Sequence, residues 1–293
     1  MKKVILAFML LSFICAFYSC DSDSDDEGSS GKNNLSETQL ASYGTHNGRK
    51  LAYIEYREWD DSHCHYEFKY NDKGIISRIE CTKISKKGVS SEILESYTFS
   101  ERLDTLVRDQ RFGTHKLYTY VLSYDKKGRV TKLRTVESSD YEHNITATFS
   151  YDGNGNLKSY NSSFIEWENG CPIKAAGGDA VSREASDPTG YSIEYIYDEQ
   201  TENKYDIYCE PFFALTDNYG YSHIDIEPLD ILSVLGMLGN APSYLPSNIV
   251  GTRNRGSSAP DNIDAKYSYK FYNDNSGFGT VARGNLQQIF IFK

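Results

Sequence analysis

Tyr66-Glu67-Phe68-Lys69-Tyr70-Asn71-Asp72-Lys73-Gly74-Ile75-Ile76-Ser77-Arg78-Ile79 contains an alternating aromatic segment, a polar turn and a second β-prone segment. The side chains of Asn71 and Asp72 can accept hydrogen bonds from the backbone of a turn. Gly74 can adopt the positive φ angle that the chain needs to reverse its direction. This order of residues predicts a β-hairpin.

The same pentad, a tyrosine followed by a polar turn that ends in glycine, recurs along the chain. Its copies are Tyr70-Asn71-Asp72-Lys73-Gly74, Tyr124-Asp125-Lys126-Lys127-Gly128 and Tyr151-Asp152-Gly153-Asn154-Gly155, with a looser copy in Tyr272-Asn273-Asp274-Asn275-Ser276-Gly277. Each copy lies between two β-prone segments. The spacing indicates a repeated unit, and it places a degenerate copy at Tyr97, midway between the first two.

Further strands are predicted from β-branched and aromatic residues at residues 51–59, 164–167, 191–197, 205–209, 265–272 and 288–292, and Asn169-Gly170 predicts one more tight turn. The connections are too short for helical crossovers between parallel strands. The predicted fold class is therefore all-β, an antiparallel meander that forms a closed or nearly closed barrel-like sheet without exposed edges.

One helix is predicted near residues 228–239, where Pro228 marks its start and Gly239-Asn240 its end. Its own apolar residues occupy almost the whole circumference of the helix, so we expect it to be buried inside the sheet or across one end of it. A helix that dips into a membrane is the alternative, although this one is too short to span. The polar stretch 251–261 predicts a loop.

The N-terminus is typical of an exported protein. Lys2 and Lys3 precede an apolar run that suits a signal peptide and is too short for a transmembrane helix. Ser19-Cys20 resembles the cleavage and lipidation site of bacterial lipoproteins, whereas Ile14 before Cys15 is too bulky. We therefore predict a signal peptide at 1–19, lipidation of Cys20, an acidic disordered tether at 20–35 and a single β-rich domain at 36–293. A plain secretory signal is the alternative.

The charge of the chain is acidic. Its formal net charge is −10, and it becomes −12 when Lys2 and Lys3 leave with the signal. Such a surface repels phosphate backbones, so nucleic acid is not an expected partner. A transmembrane barrel is also not expected, because predicted outward strand positions carry Glu67, Lys69, Lys132 and Arg134 in place of a continuous apolar belt.

The hairpin repeat, the late helix followed by Tyr244-Leu245-Pro246-Ser247 and the acidic leader together resemble a Bacteroides lipoprotein family, a domain of unknown function described as porin-like. The resemblance covers about residues 51–293; it implies a β-barrel-like architecture and supplies no catalytic residues to carry over. The acidic run after Cys20 also resembles the surface-export signal of such lipoproteins, which implies a lipid-anchored protein on the outer membrane, exposed at the cell surface. The pentad occurs too in large Rhs-type toxins, but these carry many more copies.

Four cysteines remain in the predicted domain, Cys64, Cys81, Cys171 and Cys209, which permits up to two disulfides in an oxidising compartment. A Cys64–Cys81 bond depends on the register of the first hairpin. If Tyr70 pairs with Ile75, then Cys64 faces Cys81. If Gly74 forms a bulge, the register shifts by one residue and the two cysteines point to opposite faces.

Candidate sites for chemistry are few. His63 and His65 share one strand face and lie near Asp60 and Asp61, but alternating polar residues on an exposed strand explain the pattern as well. His223, Asp225 and Glu227 also share a face and need partners from another strand. Residues 152–163 resemble a calcium loop and then depart from its pattern at the sixth and twelfth positions. No metal or cofactor is predicted.

The chain has 24 Tyr, 14 Phe and 2 Trp. Partly exposed tyrosine rings bind ligands well, although alternating tyrosines can simply fill hairpin faces. The first functional hypothesis is a non-enzymatic surface lipoprotein that binds glycan or protein through a Tyr-rich barrel face or mouth. The second is a structural subunit of an outer-membrane complex, and the third is a hydrolase whose paired carboxylates cannot be recognised in the sequence.

Overall fold

The three pentads that begin at Tyr70, Tyr124 and Tyr151 form the same hairpin turn in the computed structural model of the chain. Asp125 Oδ1 accepts hydrogen bonds from two backbone N–H groups of its turn, both at 2.9 Å. Asn71 does the same at 3.0 Å, and Asp152 accepts one such bond at 2.8 Å. Gly74 and Gly128 have φ angles of +74° and +87°. The turn chemistry predicted from the sequence therefore holds.

The degenerate copy begins at Phe99 and not at Tyr97, which is fully buried within a strand. Ser100 replaces the turn aspartate, because its Oγ accepts a hydrogen bond from the Thr105 backbone at 3.1 Å. Leu103 replaces the glycine with a φ of +56°. The expected position was wrong by two residues because neither substitute belongs to the pentad pattern.

The structure describes residues 34–57, 63–85, 88–111, 113–139, 146–161, 163–178, 190–198, 200–208, 228–253, 261–282 and 285–293. The helices are α1, Glu37–Ser42, and α2, Pro228–Val234. The strands are β1 Thr45–His46, β2 Arg49–Arg57, β3 His63–Tyr70, β4 Ile76–Ser85, β5 Gly88–Phe99, β6 Thr105–Gln110, β7 Lys116–Tyr124, β8 Val130–Ser138, β9 Thr146–Tyr151, β10 Leu157–Tyr160, β11 Ser163–Glu168, β12 Cys171–Gly178, β13 Gly190–Ile196, β14 Thr201–Glu202, β15 Tyr244–Leu245, β16 Asn248–Arg253, β17 Asp261–Phe271, β18 Gly277–Ala282 and β19 Asn285–Phe292.

Sixteen of the described strands, β2–β13 and β16–β19, form a closed antiparallel barrel. Neighbours in sequence are neighbours in the sheet, and β19 pairs with β2 to close it, with Ile291 opposite Tyr53. β1 pairs with the start of β2, and β14 and β15 form a separate small sheet. The predicted meander and its closure are confirmed.

Successive connections lie at opposite ends of such a barrel. The hairpin end carries the short turns 71–75, 100–104, 125–129, 152–156, 169–170 and 272–276. The loop end carries the connections 58–62, 86–87, 111–115, 139–145, 161–162, 179–189, 254–260 and 283–284, most of which fall outside the described residues. Residues 251–253 belong to β16, so the loop expected at 251–261 is shorter than predicted.

The barrel interior is aromatic. Tyr66, Tyr97, Tyr118 and Tyr120 are each no more than 1% exposed. They face inward because strand side chains alternate between the two faces of a sheet. Pairs such as Phe278 and Phe290 stack at 4.9 Å between ring centroids. The tyrosines thus form the core of the barrel.

The outward face of the strands is polar. On β3 and β4, Lys69 bonds to Glu80 and lies 3.5 Å from Glu67. Glu67, Lys132 and Arg134 are exposed, as the alternation predicts. None of the helices in the described part of the chain has the length and hydropathy of a membrane span.

Two segments close the hairpin end, residues 201–208 and 228–247, and together they are called the plug. Its backbone joins three barrel hairpins and the turn between α1 and β1 through hydrogen bonds of 2.9–3.1 Å: Gly44 N–H to Leu235 O, Val130 N–H to Met237 O, Asn240 N–H to Gly155 O and Ser243 N–H to Gly170 O. All seven residues of α2 are buried, which confirms the buried helix. The plug therefore ties distant hairpins together.

Two predictions in the plug need correction. Tyr205, Ile207 and Tyr208 are buried, but Tyr205 lies in a turn and the other two in irregular chain, not in the strand predicted at 205–209, and Cys209 is outside the described residues. The helix stops at Val234, before the predicted Gly239-Asn240, because Gly236 already adopts a φ of +74°.

Helix α1 leads the chain onto the hairpin end. Ser36 caps it, with a reciprocal capping box to Gln39. The Tyr43 hydroxyl then donates to the carbonyl of Gly128, the glycine of the second pentad. The chain thus enters the barrel beside the pentad turns.

Candidate functional site

A buried ion pair lies inside the barrel. Glu95 alternates with Tyr97 on β5 and Arg108 alternates with Leu106 on β6, so both side chains point inward with the apolar residues. Arg108 Nε lies 2.5 Å from Glu95 Oε1, and the two side chains are 3% and 4% exposed. Residues Glu95 and Arg108 are called the inner ion pair.

Tyrosines surround the inner ion pair. The Arg108 guanidinium lies 5.8 Å from the ring centroids of both Tyr97 and Tyr118. The Tyr66 hydroxyl lies 3.5 Å from Glu95 Oε2. Cation–π attraction and the hydrogen bond help to offset the cost of removing both charges from water.

The chemistry available to this cluster is limited. General acid–base catalysis needs a carboxyl group that can reach a substrate and exchange its proton. Glu95 is held by Arg108 and is shielded from solvent. The cluster therefore links strand β5 to strand β6 inside the barrel. Burial raises the pKa of the Tyr66 hydroxyl well above its usual range.

Two cysteine thiols lie next to this cluster. Cys64 and Cys81 are both buried and face inward. Cys64 pairs with Lys83 while Tyr66 pairs with Cys81, so the two cysteines occupy diagonal positions. A hydrogen bond with Cys64, together with burial, raises the pKa of the Cys81 thiol.

Neither register considered for the first hairpin is the one observed. Tyr70 pairs with Ile76, as the bulge around Gly74 requires, but a second shift makes Lys69 pair with Arg78. The two shifts together return Cys64 and Cys81 to the same face. The Cys64–Cys81 disulfide stays a prediction. Cys171, on β12, is buried and free.

His46 joins the barrel to both parts of the plug. It belongs to β1, which pairs with β2, and it is 3% exposed. Its Nε2 lies 2.7 Å from Val234 O at the end of α2, and its Nδ1 lies 3.1 Å from Asp206 O. The ring packs edge-on against Phe292 at 5.8 Å.

The histidine and acid positions predicted as candidate ligands do not form a site in the described residues. His65 Nδ1 lies 3.6 Å from Glu55 Oε1 on the outer face, and the His65 ring packs 4.7 Å from Tyr53. Asp60, Asp61, His223, Asp225 and Glu227 lie outside the described residues, as does the side chain of His63. Within the described ranges, no three His, Cys, Asp or Glu residues are placed to hold a metal ion.

Carboxylates buried among the described residues are Glu95 and Asp230, at 3% and 5% exposure. Glu95 is engaged by Arg108, and Asp230 lies on α2 within the plug. The large apolar side chains that are exposed in these ranges are Leu117, Val136 and Phe164, on three different strands.

The candidate residues predicted from the sequence did not include Glu95, Arg108 or His46. The sequence does indicate that Arg108 is buried, because Arg108 is two residues from Leu106 on a short strand and therefore lies on the same inward face. A charge in an apolar register indicates a buried partner. His46 gave no signal, because its two partners are backbone carbonyls far away in the chain.

The chain was compared with known protein families and structures. No family model and no curated protein matches it. It is similar to the crystal structure of a porin-like protein from Bacteroides uniformis, at 14% identity over 83% of this chain and 96% of that one, with a TM-score of 0.46.

Two further structures are similar to the chain. One is a porin-like protein from Bacteroides vulgatus, at 12% identity over 83% of this chain and 97% of that one, with a TM-score of 0.48. The other is the Tc holotoxin pore of Photorhabdus luminescens, at 10% identity over 80% of this chain and 12% of that one, with a TM-score of 0.31.

Proposed function

We propose that the protein is a lipid-anchored, non-enzymatic envelope protein that binds glycan or protein with the loop end of its barrel. The observation that carries the proposal is the difference between the two ends. The hairpin end has short turns that are tied to the plug. Apart from the segment that contains the plug, the longest connections between barrel strands lie at the loop end, at 139–145, 179–189 and 254–260.

The burial of the tyrosines around the inner ion pair supports this assignment. Tyr66, Tyr97 and Tyr118 pack around the inner ion pair and offer no open aromatic face. These three rings therefore belong to the core and not to a Tyr-rich face or mouth that could hold a ligand. Loops on a rigid scaffold are a common alternative for recognition.

The path of the chain supports the anchor's position. The chain reaches α1 at the hairpin end, where Tyr43 bonds to Gly128. A lipid on Cys20 would then lie 16 residues before Ser36, which caps α1. The hairpin end faces the membrane in this arrangement, and the loop end faces away from it, on the cell surface. Charged residues such as Glu67 and Lys69 on the outer strand face suit a barrel that stands in water.

The binding test uses the protein without its signal and tether, residues 34–293, against a panel of bacterial and host glycans and purified envelope proteins. One variant replaces 179–189 by a Gly/Ser linker of equal length, and the control is Lys132→Ser on the outer face of β8. We expect the linker variant to lose binding at least tenfold and the control to keep it. Unchanged binding by the linker variant would contradict this role for the 179–189 connection.

The anchor is tested separately in cells. Intact cells are treated with protease, and the Cys20→Ala variant is compared with the wild type. We expect the wild type to be membrane-bound and cleaved from outside, and the variant to be released. Cleavage only after lysis would refute surface exposure, and a variant that stays in the membrane would refute the lipid anchor.

A further inference from the structure

The plug is held at one point by a single buried side chain. His46 contacts Val234 O in one plug segment and Asp206 O in the other. Both partners are carbonyl oxygens, which only accept hydrogen bonds. A neutral imidazole has one N–H, so it can donate to one of the two.

The shorter contact identifies the donor in the neutral form. Nε2 lies 2.7 Å from Val234 O and Nδ1 lies 3.1 Å from Asp206 O, so the proton belongs on Nε2. Nδ1 then presents a lone pair to the Asp206 carbonyl. This contact is unfavourable in the neutral ring and would become a hydrogen bond only in the imidazolium.

Burial opposes that imidazolium. The ring is 3% exposed and packs against Phe292, and a charge in such a place is costly. The charged side chains that act on it are Asp206, which favours the proton, and Lys50 from β2, which disfavours it. α2 presents the Val234 carbonyl, and β19 presents the Phe292 ring.

We propose that His46 is an acid-sensitive latch: while neutral it holds the plug on the hairpin end through its bond to Val234 O, and protonation weakens that hold, because burying the charged ring costs more than the second hydrogen bond, to Asp206 O, returns. In the docked state, the surroundings of the ring favour its neutral form, as the latch requires. Burial is the largest influence and lowers the pKa of His46, although the hydrogen bonds to Asp206 and Val234 act against it.

The lowered pKa of docked His46 determines how plug docking depends on pH. When the plug is released, His46 meets water and recovers a pKa of about 6.5. Because the docked ring has the lower pKa, the released state binds more protons as the pH falls. The hold is therefore complete above about pH 6.5 and declines below it. Between pH 7.5 and 5.5 the opening equilibrium can rise by about tenfold at most.

Hydrogen exchange tests the latch in residues 34–293. Opening equilibria of peptides from 201–208 and 228–247 are measured at pH 7.5 and 5.5, after correction for intrinsic exchange rates. The variants are His46→Asn, which keeps one donor, and His115→Asn as control. His115 is an exposed histidine near the loop end, with Nε2 2.8 Å from Asp109 Oδ1.

We expect plug opening to increase severalfold on acidification in the wild type and in His115→Asn, and to stay constant in His46→Asn. A wild-type plug that opens equally at both pH values overturns the proposal. An equal response in His46→Asn overturns it as well.

A second measurement needs no variant. Nitrogen NMR of the histidine rings in the wild type reports which nitrogen carries a proton at each pH. We expect His46 to be neutral with its proton on Nε2 at pH 7.5, and to titrate together with plug opening. A ring that is already doubly protonated at pH 7.5 would refute the latch even if His46→Asn does not fold.

Discussion

Gly239 of the plug and Gly155 of the third pentad meet at close range. A Cβ atom on Gly239 would lie 2.5 Å from the carbonyl oxygen of Gly155 and 3.0 Å from the Tyr151 ring, and Gly239 has a φ of +89°. A Cβ atom on Gly155 would lie 3.1 Å from the Asn240 side chain. The pentad glycine therefore has a second role, because it admits the plug as well as the turn.

We expect Gly239→Ala to lower the free energy of unfolding by about 2–4 kcal/mol, because it combines left-handed backbone strain with overpacking against Gly155. Gly153→Ala is the control, since nothing lies within 4 Å of its Cβ position. Urea denaturation at pH 7 measures both, and the control should stay within about 0.5 kcal/mol of the wild type. Equal stability of the two variants would show that the plug does not press on Gly155.

The inner ion pair gives a prediction of a different kind. We expect Arg108→Met to cost about 3–5 kcal/mol, because it leaves the Glu95 carboxylate buried without its cation. Adding Glu95→Gln to that variant removes the buried charge and should recover part of the loss. Urea denaturation of the wild type, both single variants and the double variant gives the coupling energy. Additive losses would mean that the two side chains do not act as a pair.

At the level of single elements, the pentad turn depends on its carboxylate. Asp125 accepts two backbone hydrogen bonds and contacts Arg129, whose Nε lies 2.7 Å from Asp125 Oδ2. Partial burial acts to raise the pKa of Asp125, but the hydrogen bonds and the charge of Arg129 outweigh it and lower the pKa. The ionised form therefore stabilises the turn.

We expect Asp125→Asn to cost about 1 kcal/mol at pH 7, because it keeps the turn acceptor and loses the charge, and Asp125→Ala to cost about 2 kcal/mol. The stabilisation by Asp125 is complete above the unfolded pKa of about 3.9 and is lost as the pH falls through the lower folded value. The difference between wild type and Asp125→Asn should therefore shrink between pH 5 and pH 2.5. Urea denaturation across this range measures it, with the exposed Asp72→Asn as control. A difference that is independent of pH would exclude a charge effect.

The sequence allowed the hairpins to be predicted because their determinants are local. Asn71 and Gly74 act within one turn, and so do Asp125 and Gly128. Registers were harder to predict, because the shift between Lys69 and Tyr70 is a bulge that no residue type marks. That single shift decides which side chains face Cys64.

The plug could be predicted only in part for a related reason. The apolar residues of α2 predict its burial. Tyr205 and Ile207 have the residue types of a strand, but they are buried in the plug outside any strand. The position of Tyr205 depends on Phe292 of β19, which is 87 residues further along the chain and whose ring stacks on that of Tyr205 at 4.4 Å between centroids. Long-range partners of this kind leave no periodic signal.

At the scale of the whole molecule, the barrel depends on its last strand. β19 joins β18 to β2, and Lys293 exchanges backbone hydrogen bonds with Lys50 at 2.9 and 3.0 Å. This pairing brings together the two ends of the domain's sequence, so it carries a high cost of loop closure and should form late in folding. Until it forms, β2 and β18 each have an open edge.

We expect removal of 285–293 to leave the barrel open and prone to association through those edges. The deletion also removes Phe290 and Phe292, which are 0% and 4% exposed, from the core. Size-exclusion chromatography and urea denaturation compare residues 34–284 with residues 34–293, which lack the same tether and differ only in β19. The longer chain should be monomeric with one cooperative transition, and the shorter one should form aggregates without a sharp transition. A monomeric 34–284 protein with an unchanged midpoint would mean that the other fifteen strands hold the sheet without closure, and that β19 is an addition to a fold that is already complete.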